Sequence, residues 1–566
     1  MNLRYDWKLR HWRSVIFLVS AVVLAYVYLL HYSNTMPINS DYANDMLIAQ
    51  DMLQGNIFLH GWLLSPDPYW VTNLVVYAPI LKVLGFSSFA SHVASTLVYL
   101  LLCISAVAAV ACGPRKDGRS VRLGIVLLPM LALSPSLANL TLVGPQHVGT
   151  LAAVLLVILL WHQERASLFD SKSMVTLFLL YVFNVSDPFV MWVYTVPLLT
   201  MTGFAIFSRR FQERKRLWLP LLIALLADVL SLFTKLMAMH FGYLRTYSLT
   251  ISWTKDLSEN VNLLLHGFPA MYGVALSGRP IDLIAGALHL LVFIPAVLYL
   301  GIVPIRWLRS TQEDLTSALL SISAVSLIAE FVLSSVPLSL ASLRYLLPTF
   351  VFSLIVLARE IDLVRVREYF RRWLTVQKQQ MVLASVGLLL LFPGVGSIVT
   401  PAAATQWPRI AAWLKQHHLQ SGYGPYWDAS ILTLYSGGKV SVRAITGAFD
   451  QRHRVVLIPY LWIVMRNWYQ RSPDTRFVIY DPADYGDVQR STIVRTFGPP
   501  AQKHDIGKYV IFIWDHPIYA SCRRFRCERQ TARGSLGVFE TKGQTDSEPA
   551  VESGRLFRAG GLTEGE

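Results

Sequence analysis

Residues 14–32 read SVIFLVSAVVLAYVYLLHY, and residues 40–56 read SDYANDMLIAQDMLQGN. The first run is long and apolar enough to cross the hydrocarbon core of a bilayer as a helix. The second follows within a few residues and holds three carboxylates, Asp41, Asp45 and Asp51. Carboxylates beside a membrane are costly unless they are solvated, paired or used. Residues 41–54 have the signals of one helix, with Ser40 or Asp41 as N-cap and Gly55 with Asn56 as the stop. Asp41 and Asp45 then share a face, four residues apart, while Asp51 points elsewhere and is expected to face solvent.

The rest of the chain has the same composition as that first run. Of 566 residues 54% are hydrophobic and only 15% charged, and mean hydropathy is +0.44. A soluble protein of this length carries far more charge. Further spans are expected at about 87–112, 123–142, 147–162, 173–186, 188–207, 217–240, 282–304, 315–336, 345–360 and 381–400. The sequence thus predicts a polytopic α-helical membrane protein with about eleven transmembrane helices. The basic N-terminus MNLRYDWKLRHWR precedes an apolar run without a small-residue cleavage site, so the first span is expected to stay as an anchor.

The net charge of +15 sits in short clusters between the apolar runs. With the N-terminus inside, the inner loops hold 23 Lys and Arg and the outer loops hold 5. That bias fixes the sidedness and makes nucleic acid an unneeded explanation of the charge. Two outer loops are long, 33–86 and 241–281, and both mix polar residues with aromatics. They are expected to hold short helices lying on the membrane face.

From 401 the composition changes. GGKVSVRAI, RHRVVLIPY, TRFVIYDP and KYVIFIWD are short, rich in β-branched residues, and bounded by Gly, Pro and Asp. WPRIAAWLKQHH has helical spacing, and GYGPYWD reads as a turn whose aromatics and carboxylate suit a sugar. The expected organisation is a transmembrane domain over 1–400, an extracytoplasmic α/β domain over 401–520, and a polar, disordered tail over 521–566. Cys522 and Cys527 in the tail can pair if that side is oxidising. His417 and His418 are adjacent on a helix end and point apart, which argues against a shared metal.

Polar residues cluster at the outer ends of the spans. GWLLSPDPYW supplies Asp67, LVGPQHVGT supplies Gln146 and His147, NVSDPFVMW supplies Asp187, and ASLRYLLP supplies Arg344 and Tyr345. Each has a plain structural role open to it: Asp187 and His147 as caps, Arg344 as an interfacial anchor.

Three features together resemble one family. They are the early acidic residue in a long first outer loop (SDYANDML), the RYLLP motif opening a late span from outside, and the C-terminal outer domain. These resemble the GT-C superfamily of membrane glycosyltransferases, in particular bacterial relatives of the protein mannosyltransferase and aminoarabinose transferase group. The resemblance covers about 1–400. It implies a polyprenyl-phosphate sugar donor used at the outer face of a bacterial inner membrane, with a glycan, lipid or protein acceptor. It makes Asp41 the candidate base and Arg344 the ligand of the donor phosphate. Where many relatives carry Asp-Glu, this chain has Asp41-Tyr42 and its next carboxylate at Asp45.

The chemistry suits these residue types. A positioned carboxylate can take the proton of an attacking hydroxyl. An arginine offers paired donors to a lipid phosphate that gains charge as it leaves. Arg245, Lys255 and Arg279 in the second long loop can add to that. Asp67, His147, Asp187 and Tyr345 are expected to support the cavity, and oxygen ligands at Asp41 and Asp45 suit Mg²⁺ or Mn²⁺. Two other functions fit the sequence less closely: a transporter or flippase for a lipid-linked glycan, for which Asp228, Lys235 and Glu330 are the intramembrane charges, and a non-catalytic scaffold with an outer binding domain.

Overall fold

A computed structural model describes residues 2–364 and 405–520, apart from short gaps at 116, 145, 162–168, 208–210, 248–250, 275–279, 310–313, 451 and 485. The expected span at 381–400, the tail over 521–566 with Cys522 and Cys527, and Arg279 lie outside the described residues.

The long apolar runs form helices α1 (Asn2–Asn34), α4 (Ser88–Ala111), α10 (Phe211–His240), α12 (Pro280–Arg309), α13 (Leu315–Leu333) and α14 (Leu347–Glu360), with α2 (Ser40–Leu53) and α3 (Val75–Leu84) between α1 and α4. Among the described residues five helical stretches are long and apolar enough to cross a membrane: Ser88–Ala111, Arg216–His240, Leu283–Arg309, Leu315–Leu333 and Leu340–Glu360. A sixth is reached if α5 (Arg119–Leu131) and α6 (Pro135–Thr141) count as one span. The sequence reads that pair as a continuous span over 123–142, but it bends by 84°. The cause is local: Ser134 caps a new helix by accepting from the Leu137 amide, and Pro135 takes its first position, where a missing N–H costs nothing. The other apolar helices are shorter, among them α7 (Val148–Trp161), α8 (Ser171–Ser186) and α9 (Val196–Phe207), the last entered through a π turn at Met191–Thr195.

The first long polar loop is ordered. The N-cap of α2 is Asn39, not Ser40 or Asp41: its side chain accepts from the Tyr42 amide. That leaves the Asp41 carboxylate free for another partner. Asp51, expected in solvent, instead accepts from the Trp62 indole at 2.8 Å and from Asn56, and so ties the end of α2 to strand β1 (Trp62–Leu64). β1 pairs in parallel with β2 (Arg245–Thr246) of the second long loop and antiparallel with β6 (Val464–Met465) of the C-terminal region. Three distant segments are thereby stitched at one end of the helices.

The C-terminal region is a six-stranded mixed sheet, in the order β5 (Val455–Pro459), β4 (Ser441–Phe449), β3 (Ser421–Gly424), β7 (Thr475–Tyr480), β9 (Tyr509–Ile513) and β8 (Gln502–Ile506). Side chains alternate across it. Phe477, Ile479 and Ile511 pack on one face with α15 (Trp407–Gln416) and α16 (Tyr426–Tyr435). Val478, Tyr480, Val510 and Phe512 pack on the other with Ile493 of α17 (Arg490–Phe497). Strands covered on both faces read as the unbroken apolar runs seen in the sequence. The stretch expected as a turn at GYGPYWD is instead the end of β3 and the start of α16.

Gly149, in the first turn of α7, marks a close approach: a Cβ there would overlap the Thr72 carbonyl and the Asn73 side chain. Gly149→Ala is expected to lower stability by about 1–3 kcal/mol, read as a lower thermal unfolding midpoint in detergent. An unchanged midpoint would contradict this packing.

Candidate active site

The polar residues singled out in the sequence fall into two neighbouring groups joined by Arg344. The first group sits on α2. Asp41 Oδ1 accepts a hydrogen bond from the Tyr426 hydroxyl, at the start of α16. Asn44 donates to the same hydroxyl at 3.3 Å, and Ser430 donates to Asn44 at 2.5 Å. Asp41 keeps a partly open surface. Burial nevertheless pushes its carboxyl up, and Tyr426 and Arg344 offset part of that rise. Asp45, one turn on, is buried. Burial and the neighbouring Asp41 raise its carboxyl well above the usual range.

The second group sits where α7, α8 and the first long loop meet. Asp187 is fully buried at the C-cap of α8. One oxygen accepts from His147 Nδ1 at 2.8 Å and from the Thr150 hydroxyl, and the other accepts from the Phe189 amide at 3.0 Å. A carboxylate only accepts, so Nδ1 carries the hydrogen and Nε2 is aimed away from Asp187. Burial alone would raise the Asp187 carboxyl, but the His147 ring and these donors hold it below its ordinary value.

Asp67 reaches this group because Ser186 anchors its loop. The Tyr69 amide donates to the Ser186 carbonyl at 3.0 Å, and the Val71 and Thr72 amides donate to its hydroxyl at 3.0 and 3.1 Å. Asp67 then lies 3.9 Å from His147 Nε2. Burial and Asp187 push its carboxyl up to about 6, against the pull of His147, Arg344 and Lys235. Tyr69 and His147 both hold left-handed backbone, at φ 50° and 61°. Such strain in non-glycine residues is kept only where the surroundings impose it, and it clusters at functional sites.

Arg344 lies in the 3₁₀ turn Leu340–Leu346 that leads into α14. Its guanidinium sits 5.0 Å over the Tyr345 ring and donates to the Tyr345 hydroxyl at 3.2 Å. Tyr345 is in turn 5.4 Å from the His147 ring. The Arg344 Nε is buried without a hydrogen-bond partner among the described residues. The charge of Arg344 acts on both Asp41 and Asp67, so it lies within electrostatic reach of both groups.

Arg245 is elsewhere. It lines a different cavity of about 470 Å³, with His60, Arg466, Asn467 and Gln470. Gln146 donates to the Tyr42 hydroxyl. An apolar groove of about 300 Å³ runs between α8 and α10, lined by Trp70, Tyr181, Val185, Thr234 and Leu244 among others. Val185 lies two residues before Asp187.

Ligand-type atoms of Asp67, His147 and Asp187 lie within 4.8 Å of one another, so this cluster can hold a metal ion. Asp41 and Asp45, the pair singled out in the sequence, belong to no such cluster of three among the described residues. The sequence reading named Asp67, His147 and Asp187 as cavity residues and missed Tyr426, Asn44, Tyr69 and Thr150. Only Tyr426 had a signal, as part of GYGPYWD.

Asp45→Asn is expected to stabilise the protein near neutral pH, by about 1–3 kcal/mol, because the raised carboxyl must take up a proton on folding there. A carboxyl whose value is raised on folding gives stability that is present at low pH and is lost as pH rises through the folded value. The gain of the variant should therefore shrink on acidification. Thermal midpoints across pH check this, and a gain that grows in acid would contradict it.

No family model and no curated protein matches the chain by sequence. Solved structures do match in shape. The structure of ArnT from Cupriavidus metallidurans bound to undecaprenyl phosphate has a TM-score of 0.51 at 14% identity, covering 88% of this chain and 97% of that one. Its apo form has 0.52 at 13% identity, covering 89% and 98%. The archaeal oligosaccharyltransferase AglB from Archaeoglobus fulgidus, in complex with an inhibitory peptide and a dolichol-phosphate, has 0.45 at 11% identity, covering 83% and 70%. With its apolar helices and C-terminal sheet, the chain is an integral membrane protein with the fold seen in the ArnT structures.

Proposed function

We propose that the protein is a glycosyltransferase that moves a sugar from a polyprenyl-phosphate donor to a hydroxyl or amine acceptor at the outer face of a bacterial inner membrane. The observation that carries this reading is a partly open carboxylate, Asp41, within electrostatic reach of a buried arginine, Arg344, whose Nε has no hydrogen-bond partner among the described residues. The bound undecaprenyl phosphate of the ArnT structure supports the donor class. In this reading 1–400 is the transmembrane domain, with its N-terminus cytoplasmic, and 401–520 is a periplasmic domain.

The acceptor attacks the anomeric carbon while Asp41 takes its proton. The bond from that carbon to the phosphate oxygen breaks, and its electron pair leaves with the lipid phosphate. Arg344 meets the developing charge with donors already oriented by Tyr345. The apolar groove beside Val185 suits the first isoprene units of the lipid. Arg245 and Arg279 remain candidates for further phosphate or headgroup contacts, and Asp45 for tuning Asp41.

The second group fits a divalent ion such as Mn²⁺. Among the described residues His147 Nε2 is buried without a hydrogen-bond partner, Asp67 lies 3.9 Å from it, and Asp187 orients the ring through Nδ1, as carboxylates do behind metal-bound histidines. Mixed imidazole and carboxylate donors suit Mn²⁺ better than Mg²⁺. An ion held there by Asp67 and His147 Nε2 would supply positive charge to the site.

Asp41→Asn is expected to lower transfer from a polyprenyl-phosphate sugar about 10²–10⁴-fold while leaving lipid binding in place. Turnover at the normal rate would remove Asp41 as the base. Release of lipid-linked sugar across vesicles without any transfer would favour a flippase instead. His147→Ala is expected to abolish retention of about one divalent ion per purified chain. Wild-type protein carrying no ion after purification with added Mn²⁺ would overturn the metal assignment and leave the cluster as a hydrogen-bonded group that fixes the His147 ring.

A further inference from the structure

We propose that the C-terminal sheet domain completes the active site through Tyr426, a positioning residue that fixes Asp41 Oδ1 and leaves Oδ2 to take the proton of the acceptor. This inference rests on the reading of Asp41 as the base. Tyr426 is separated from Asp41 by 385 residues in the chain, yet its hydroxyl donates to that carboxylate.

The contact is built rather than incidental. Asn44 donates to the Tyr426 oxygen, and Ser430, one turn along α16, donates to Asn44. The phenol hydrogen is thereby left only one direction, toward Asp41. Tyr460 holds the ring from the side, at 5.2 Å and 65°. Behind Tyr426, Pro425 starts the helix with extended backbone, and β3 lies in parallel register between β4 and β7. The hydroxyl is therefore located by a central strand of a sheet, not by a loop. Burial keeps the phenol protonated, so it stays a donor over the working range.

Among the described residues five titratable groups act on Asp41 or are acted on by it. They are Tyr42 and Asp45 from α2, Arg344 from the turn before α14, Tyr426 from α16, and Tyr460 from the loop after β5. Of the charged ones, Arg344 favours the ionised form of Asp41 and Asp45 opposes it. Tyr426 is the neutral donor that aims the carboxylate as well as stabilising its ionised form. A carboxylate with both oxygens free would rotate, and a proton acceptor must be held within a narrow geometry to be effective.

The test uses the full chain in lipid nanodiscs. The infrared carboxyl signal of Asp41, identified as the band absent in Asp41→Asn, is followed through a pH titration. Tyr426→Phe removes only the hydroxyl, and the Asp41 midpoint is expected to rise by about one unit. Replacing Tyr426 by 3-fluorotyrosine keeps its shape and makes a stronger donor, and the midpoint is expected to fall. Opposite shifts from the two changes are not produced by loosened packing. The acidic limb of the transfer rate is expected to follow both shifts, with KM for the lipid donor unchanged. A midpoint unmoved by either change, with Asp41→Asn inactive, overturns the role of Tyr426 alone. Full transfer by Asp41→Asn overturns the base and the positioning role together. If Tyr426→Phe does not fold, the fluorotyrosine protein decides.

Discussion

A fully buried carboxylate must be answered by donors or lose its charge, and Asp187 is answered three times, by His147, Thr150 and the Phe189 amide. Much of the site geometry depends on this one set of bonds. They join the start of α7 to the end of α8. They turn His147 so that Nε2 looks toward Asp67, and they set the ring against Phe189 and Tyr345. Tyr345 in turn carries Arg344. The backbone of the first long loop is fixed onto the same place through Ser186. Without that anchor Asp67 and Tyr69 would have no defined position.

The second constraint is the stitching of remote chain segments. β1, β2 and β6 form a small sheet from two long loops and the C-terminal region, and α16 lies along α2 with Tyr426 on Asp41. Each contact joins segments far apart in the chain. The polar end of the helices is thus covered by a sheet domain that touches the candidate base directly. Charge on the opposite helix ends is handled differently: Arg359 pairs with Asp314 at 2.5 Å, between α14 and the cap of α13.

What the sequence revealed and what it hid follow from the range of the forces involved. Apolar runs and alternating strands are local patterns, so α4, α10, α12, α13 and β4, β5, β7 and β9 could be read directly. Breaks set by competing caps were not. Asn39 rather than Asp41 caps α2, and Ser134 with Pro135 turns one expected span into two helices. Asp51 carries no local sign of its partner, because the Trp62 indole lies eleven residues on across a loop. Asp67, His147, Asp187 and Arg344 could be named as polar residues at helix ends, but no spacing shows that they meet. Tyr426 had no local signal linking it to Asp41, since that contact depends on how a whole domain is seated.

The account stands on Arg344 and Asp41 facing one lipid phosphate and its sugar. A cryo-EM structure of the full chain with undecaprenyl phosphate in nanodiscs tests it most directly. The account predicts phosphate density within hydrogen-bonding reach of the Arg344 guanidinium, the isoprenoid in the groove beside Val185, and the open side of Asp41 facing the phosphate. Phosphate density away from Arg344, or Asp41 turned away from the bound lipid, would contradict it.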